Sequence, residues 1–88
     1  MELNIDNTLK WYTNYIKDVF IKSCSFNNLE IISIRDNKIK CVCDDEEYII
    51  HCYTFMDFSE INRCIIKAEL YDKHNQLVED KLLFLTRK

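Results

Sequence analysis

The sequence predicts an α+β domain, an N-terminal helix packed on a curved antiparallel sheet of about five strands. Three observations carry that expectation. Apolar residues recur at helical spacing only in the first quarter of the chain. From Leu29 onward the apolar residues alternate with period two. Short Asp/Asn-rich stretches separate the alternating runs where hairpin turns are wanted.

Met1 to Asp6 reads as an extended lead-in, and Asp6 or Asn7 can cap a helix that runs to about Lys22. Leu9, Tyr12, Ile16, Val19 and Phe20 fall within an arc of about 100° on that helix. Trp11 and Tyr15, one turn apart, widen the apolar arc to about half the cylinder. A small sheet needs a wide helix face to cover it. The alternative is that Trp11 and Tyr15 stand at the edge of the covered stripe and anchor a partner, as aromatic residues do at interfaces.

Ser23 to Asn28 is a connector, and strands are expected at about 29–35, 38–43 and 47–55. A turn at Asp36-Asn37 pairs Ile34 with Ile39 and Ile32 with Cys41. A turn centred in Asp44-Asp45-Glu46-Glu47 pairs Cys43 with Tyr48, Cys41 with Ile50 and Ile39 with Cys52. Both registers place Ile32, Ile34, Ile39, Cys41, Cys43, Tyr48, Ile50 and Cys52 on one face. The other face is mixed: Leu29, Ile31, Ser33, Arg35, Lys38, Lys40, Val42, Ile49, His51 and Tyr53.

Met56 to Asn62 reads as a short helical turn or an irregular crossing, with Asp57 or Ser59 as its cap. Arg63 to Tyr71 is a fourth alternating strand, Asp72 to Asn75 a turn, and Leu77 to Thr86 a fifth strand. Three polar residues in succession, Glu79-Asp80-Lys81, suggest a bulge in that last strand.

The chain has 88 residues, 48% apolar and 31% charged, which fits one globular domain spanning 1–88. No apolar run is long enough to span a membrane, and no basic segment followed by an apolar stretch marks a signal peptide. Glycine and proline are both absent, and Ala68 is the one alanine. Those three residues use GC-rich codons, whereas the abundant Ile, Asn and Lys use AT-rich ones. The bias points to a low-GC bacterium, its phage or plasmid, a protist or a large DNA virus. Its structural consequence is that turns with positive φ must be made by Asn or Asp.

The candidate chemistry is sparse. Cys41, Cys43 and Cys52 share one hairpin face, and Cys64 or Cys24 could add a fourth thiolate for zinc. The C-x-C spacing on a strand is poor for chelation, and isoleucines surround these thiols, so packing of free cysteines in a reducing compartment is preferred to a metal or a disulfide framework. His51 precedes Cys52 but points to the opposite face, so the two cannot work as base and nucleophile. The Gly-rich phosphate loop is excluded by composition, and no hydrolase or zinc-protease motif occurs. The acidic turn Asp44, Asp45, Glu46, Glu47 lacks the spacing of a calcium loop and is either solvated or faces a basic partner. Arg35, Lys38 and Lys40 with His51 and Tyr53 make a small basic-aromatic patch, but a net charge of −3 argues against nucleic acid.

The expectation is therefore a small, non-catalytic, cytoplasmic binding protein with no cofactor and no metal. It would occupy an unidentified protein partner through Trp11, Tyr15 and the acidic turn Asp44 to Glu47. Size and coding bias suit a virus- or mobile-element-encoded inhibitor of a host defence protein, or a toxin-immunity protein. Two other readings stand beside it. One is a cup of helix and curved sheet that binds a small molecule, and the other is a homodimeric scaffold joined by the aromatic edge or an exposed strand.

Overall fold

The computed structural model describes residues 9–58 and 63–86. The amphipathic stretch forms helix α1 (Thr13–Cys24), preceded by a single helical turn at 9–11. Tyr12, with φ −110° and ψ 17°, breaks the two apart. The Thr13 hydroxyl bridges the break by donating to the Leu9 carbonyl at 2.6 Å, and the Tyr12 carbonyl accepts from the Ile16 amide at 2.9 Å. The expected cap at Asp6 or Asn7 lies outside the described residues. The helix ends two residues later than expected. Ser25 takes the left-handed conformation that glycine usually supplies, and the Phe26 amide returns to the Ile21 carbonyl at 3.0 Å.

Five strands follow: β1 (Glu30–Arg35), β2 (Lys38–Cys43), β3 (Glu46–Phe58), β4 (Arg63–Asp72) and β5 (Leu77–Thr86). They pair antiparallel in the order β1-β2-β3-β4-β5, each beside its neighbour in sequence. Both early hairpins close on two consecutive residues with positive φ, Asp36 (54°) with Asn37 (63°) and Asp44 (51°) with Asp45 (66°). Those values define the mirror-image turn whose twist matches the sheet, here built without glycine. The β4–β5 turn is held by Asp72, whose carboxylate accepts from the His74 and Gln76 amides at 2.9 and 3.0 Å.

The structure corrects four expectations. Because the second turn uses only Asp44-Asp45, Cys43 lies opposite Glu46, Cys41 opposite Tyr48 and Ile39 opposite Ile50. This is a slip of two residues from the expected pairing, and an even slip leaves every side chain on its expected face. In β1 the register shifts between Ile31 and Ser33, so Ile31, not Ile32, stands opposite Cys41. That bulge turns Ile32 outward to 52% exposure and buries Leu29 completely, reversing both expectations. The expected helical turn from Met56 is strand as far as Phe58, while 59–62 lie outside the described residues. The irregularity in β5 falls at Val78, between the pairs Tyr71–Leu77 and Leu70–Glu79, and Glu79-Asp80-Lys81 pair regularly with β4.

The core lies between α1 and one face of the sheet. Leu9, Ile16 and Phe20 from the helical segment meet Leu29, Ile39, Cys41, Ile50, Cys52, Ile66, Ala68, Leu70, Leu83 and Leu85 in one cluster. Burying apolar area of this kind is the main stabilising term for a domain of this size. No helix among the described residues is long and apolar enough to cross a membrane.

Candidate functional site

One helix covers one face of the sheet, and strand geometry sends every second side chain to the other face, which no helix or strand among the described residues covers. The register sorts that uncovered face into cross-strand rows. The middle row is Arg35–Lys38–His51–Glu69–Asp80, taken from β1 to β5. On the side of the acidic turn lies the row Lys40–Ile49–Tyr71–Leu77. On the other side lie Tyr53–Lys67–Leu82 and then Ile65–Phe84. Leu77, Leu82 and Phe84 are 52%, 51% and 66% exposed, with Ile49 and Tyr53 exposed beside them. Large apolar side chains therefore flank a row of charges on an open surface.

The middle row is internally organised. The His51 ring meets the Tyr71 ring edge-on with centroids 5.0 Å apart, and Tyr53 lies 6.4 Å away. The Tyr71 hydroxyl donates to a Glu69 carboxylate oxygen at 3.2 Å, and Lys67 approaches the other oxygen at 3.7 Å. Burial holds the His51 imidazole below its ordinary pKa, the Lys38 ammonium adds to that, and the Glu69 carboxylate opposes it. His51 is thus biased toward the neutral ring. Cys52, its sequence neighbour, is fully buried on the core face, which places the pair on opposite sides of β3.

The cysteines behave as core. Burial pushes the Cys41 and Cys52 thiols up to about 12, far from a reactive thiolate. Cys43 donates to the Asp44 carboxylate at 3.7 Å, and Cys24 lies half-buried beside Ser23. The Cys64 side chain lies outside the described part of the structure. Among the described residues, no three His, Cys, Asp or Glu side chains are grouped so as to hold a metal ion.

The residues expected from the sequence to meet a partner are all at the surface. Trp11 and Tyr15 are 63% and 45% exposed on the helical segment. Asp44, Asp45, Glu46 and Glu47 are exposed at the β2–β3 turn. The structure does not bring the two sets together. Asn27, just past the C-terminal end of α1, donates to Asp44 at 3.5 Å, whereas Tyr15 lies in the first turn of that helix, about 18 Å long, and Trp11 in the helical turn before it. The chain's own lysines also answer the acidic turn: Lys73 sits 3.3 Å from Glu46 and Lys40 3.9 Å from Glu47. Exposed pairs of this kind contribute little stability, but they lower the field that the turn projects.

No family model, curated protein or solved structure matches the chain. The site is therefore defined by its own surface. The feature missed in the sequence is the apolar content of the open face, above all Leu82 and Phe84. A signal for it existed: Leu82-Leu83-Phe84-Leu85 is apolar on both faces of β5, the pattern of a strand covered on both sides.

Proposed function

We propose that this chain is a small non-catalytic protein-binding domain that works by laying its uncovered sheet face on a protein surface. The observation that carries this reading is the exposure of Leu77, Leu82 and Phe84 together with Ile49 and Tyr53 on one continuous face. Exposed apolar side chains on both sides of a row of charges give such a face apolar area and charge to set against a partner. Trp11, Tyr15 and the acidic turn are subsidiary contacts in this proposal, at separate places on the surface. Action inside the cell, encoding by a virus or mobile element, and inhibition of a host protein by occupancy belong to the same proposal, on composition and size. The cup reading finds less support, because side chains of α1 and the sheet pack together in the layer where a ligand would sit.

A photo-crosslinking residue placed at Phe84 tests the proposal, with the same residue at Tyr15 for comparison. Expression in cells should give protein adducts from position 84. Adducts from position 15 alone, or from neither, would overturn the assignment of the open face.

A further inference from the structure

We propose that the occupant of the open face is a second copy of this chain, related to the first by a two-fold axis running along β3 between the two sheets. The proposal rests on the reading of that face as a protein-binding surface and names the partner for its charged rows, which leaves Leu82, Phe84, Trp11, Tyr15 and the acidic turn to meet a host protein.

The charge order of the middle row carries the inference. From β1 to β5 the row runs Arg35, Lys38, His51, Glu69, Asp80, so it is cationic at one end, acidic at the other and changes sign at the central strand. A two-fold axis along β3 sends β1 onto β5 and β2 onto β4. Lys38 of each copy then faces Glu69 of the other, and Arg35 faces Asp80, so each pairing occurs twice. An axis along the row, at right angles to the strands, instead lays Arg35 on Arg35 and Asp80 on Asp80. Like charges in contact across an interface are costly, so the row selects the first arrangement. The small rotation between aligned sheets keeps this order. In the adjacent row, the same axis sets Lys40 over the Tyr71 ring and Ile49 against its own copy, a cation–π contact beside an apolar one. The symmetry is isologous, the commonest kind for identical chains.

The edges argue for the face over a strand-to-strand dimer. Each edge strand carries an irregularity, β1 between Ile31 and Ser33 and β5 at Val78, and such kinks discourage edge pairing. The overlap follows the strand ends: β1 and β2 stop at the Asp36-Asn37 turn, level with Asp80 in β5, so in this pair Leu82 and Phe84 extend past the facing copy's β1–β2 hairpin.

Sedimentation velocity of the full chain, under reducing conditions from micromolar to sub-millimolar, tests the proposal with two charge-reversed variants. One carries Arg35→Glu with Lys38→Glu, the other Glu69→Lys with Asp80→Lys. The wild type should sediment at twice 10.7 kDa. Each variant alone should associate at least tenfold more weakly, and their equimolar mixture should recover the wild-type affinity within about threefold, because every reversed contact is complementary in the mixed pair. If a variant does not fold by circular dichroism, Lys38→Gln and Glu69→Gln read the same contact: each weakens the dimer, and together they weaken it less than additively. A wild type that stays monomeric throughout, variants that dimerise like the wild type, or a mixture that stays monomeric would each overturn the two-fold pair. None of these results prevents crosslinking from position 84 to a different protein. Loss of the second copy and loss of the open face as a binding surface are therefore distinguishable.

Discussion

Cys41 stands directly opposite Tyr48 in the β2–β3 hairpin, and its thiol donates to the Tyr48 carbonyl at 3.6 Å. This contact exists because the turn uses two residues and not four. The register of the whole sheet's centre is thus fixed by Asp44 and Asp45, both in the left-handed region without being glycine.

Asp45→Gly should therefore stabilise the fold. Glycine is favoured at the second position of this turn, and an L-residue there costs on the order of 1 kcal/mol. The predicted gain in urea unfolding is about 0.5–1 kcal/mol. Asp45→Val, which is β-branched, should lose at least as much. A loss of stability on introducing glycine would show that Asp45 is held by something other than turn geometry.

The buried thiols give a prediction at high pH. Burial raises Cys41 and Cys52 from their ordinary value of 9.0 to about 12. The unfolded chain releases these protons first, so the stability they contribute is complete below pH 9 and drains away as pH rises toward 12. A tenfold change in an acid dissociation constant corresponds to about 1.4 kcal/mol, so two thiols weigh heavily against the marginal stability of a small domain. Alkaline titration followed by circular dichroism should show cooperative unfolding in this window. Cys52→Ala should be less stable at pH 7, yet lose less between pH 9 and 12 than the wild type. Equal losses would mean that the tyrosines, not the thiols, drive the transition.

His51 gives a prediction at low pH. Its folded pKa lies below the ordinary 6.5, so the unfolded chain takes up the proton first and stability falls as pH drops through that value. NMR titration of the ring should place His51 below 6.5. Glu69→Gln should lower the His51 value further, and Lys38→Gln should raise it, because the two charges act in opposite directions. The reverse order would refute the arrangement of the middle row.

Phe20 and Tyr15 separate core from surface on one helical segment. Phe20 is fully buried, and Phe20→Ala should cost about 3–5 kcal/mol, most of the stability available to a chain of this length. Tyr15, 45% exposed, should cost less than about 1 kcal/mol on change to alanine. Thermal unfolding of the two variants checks both values.

The sequence displays β2, the first part of β3 and β4 through period-two alternation, and β1 and β5 through apolar runs bounded by Asp/Asn turns. It does not display the register of β2 against β3. A slip of two residues keeps Cys41 and Tyr48 on the core face, so the face pattern is blind to it. The bulge in β1 is hidden for a related reason: Leu29 and Ile31 are as apolar as Ile32 and Ile34, so hydropathy cannot say which pair faces in. Helical spacing leaves Trp11 and Tyr15 open between a widened covered arc and an exposed edge, because one turn apart they border the core stripe, and only the packed structure shows them 63% and 45% exposed. The open face is not visible in the sequence, because its apolar residues come from β3, β4 and β5 and converge only through strand order.

The absence of crossovers in the sheet has a kinetic meaning. Each strand's partner is the strand just made or the next one in the chain, so loops closed during assembly are short and their entropic cost is low. The turns of β1–β2 and β2–β3 can close in microseconds and present a template to which β4 and then β5 add in order. Such a chain can organise progressively as it leaves the ribosome, waiting only for β5 to complete the layer beneath the helix.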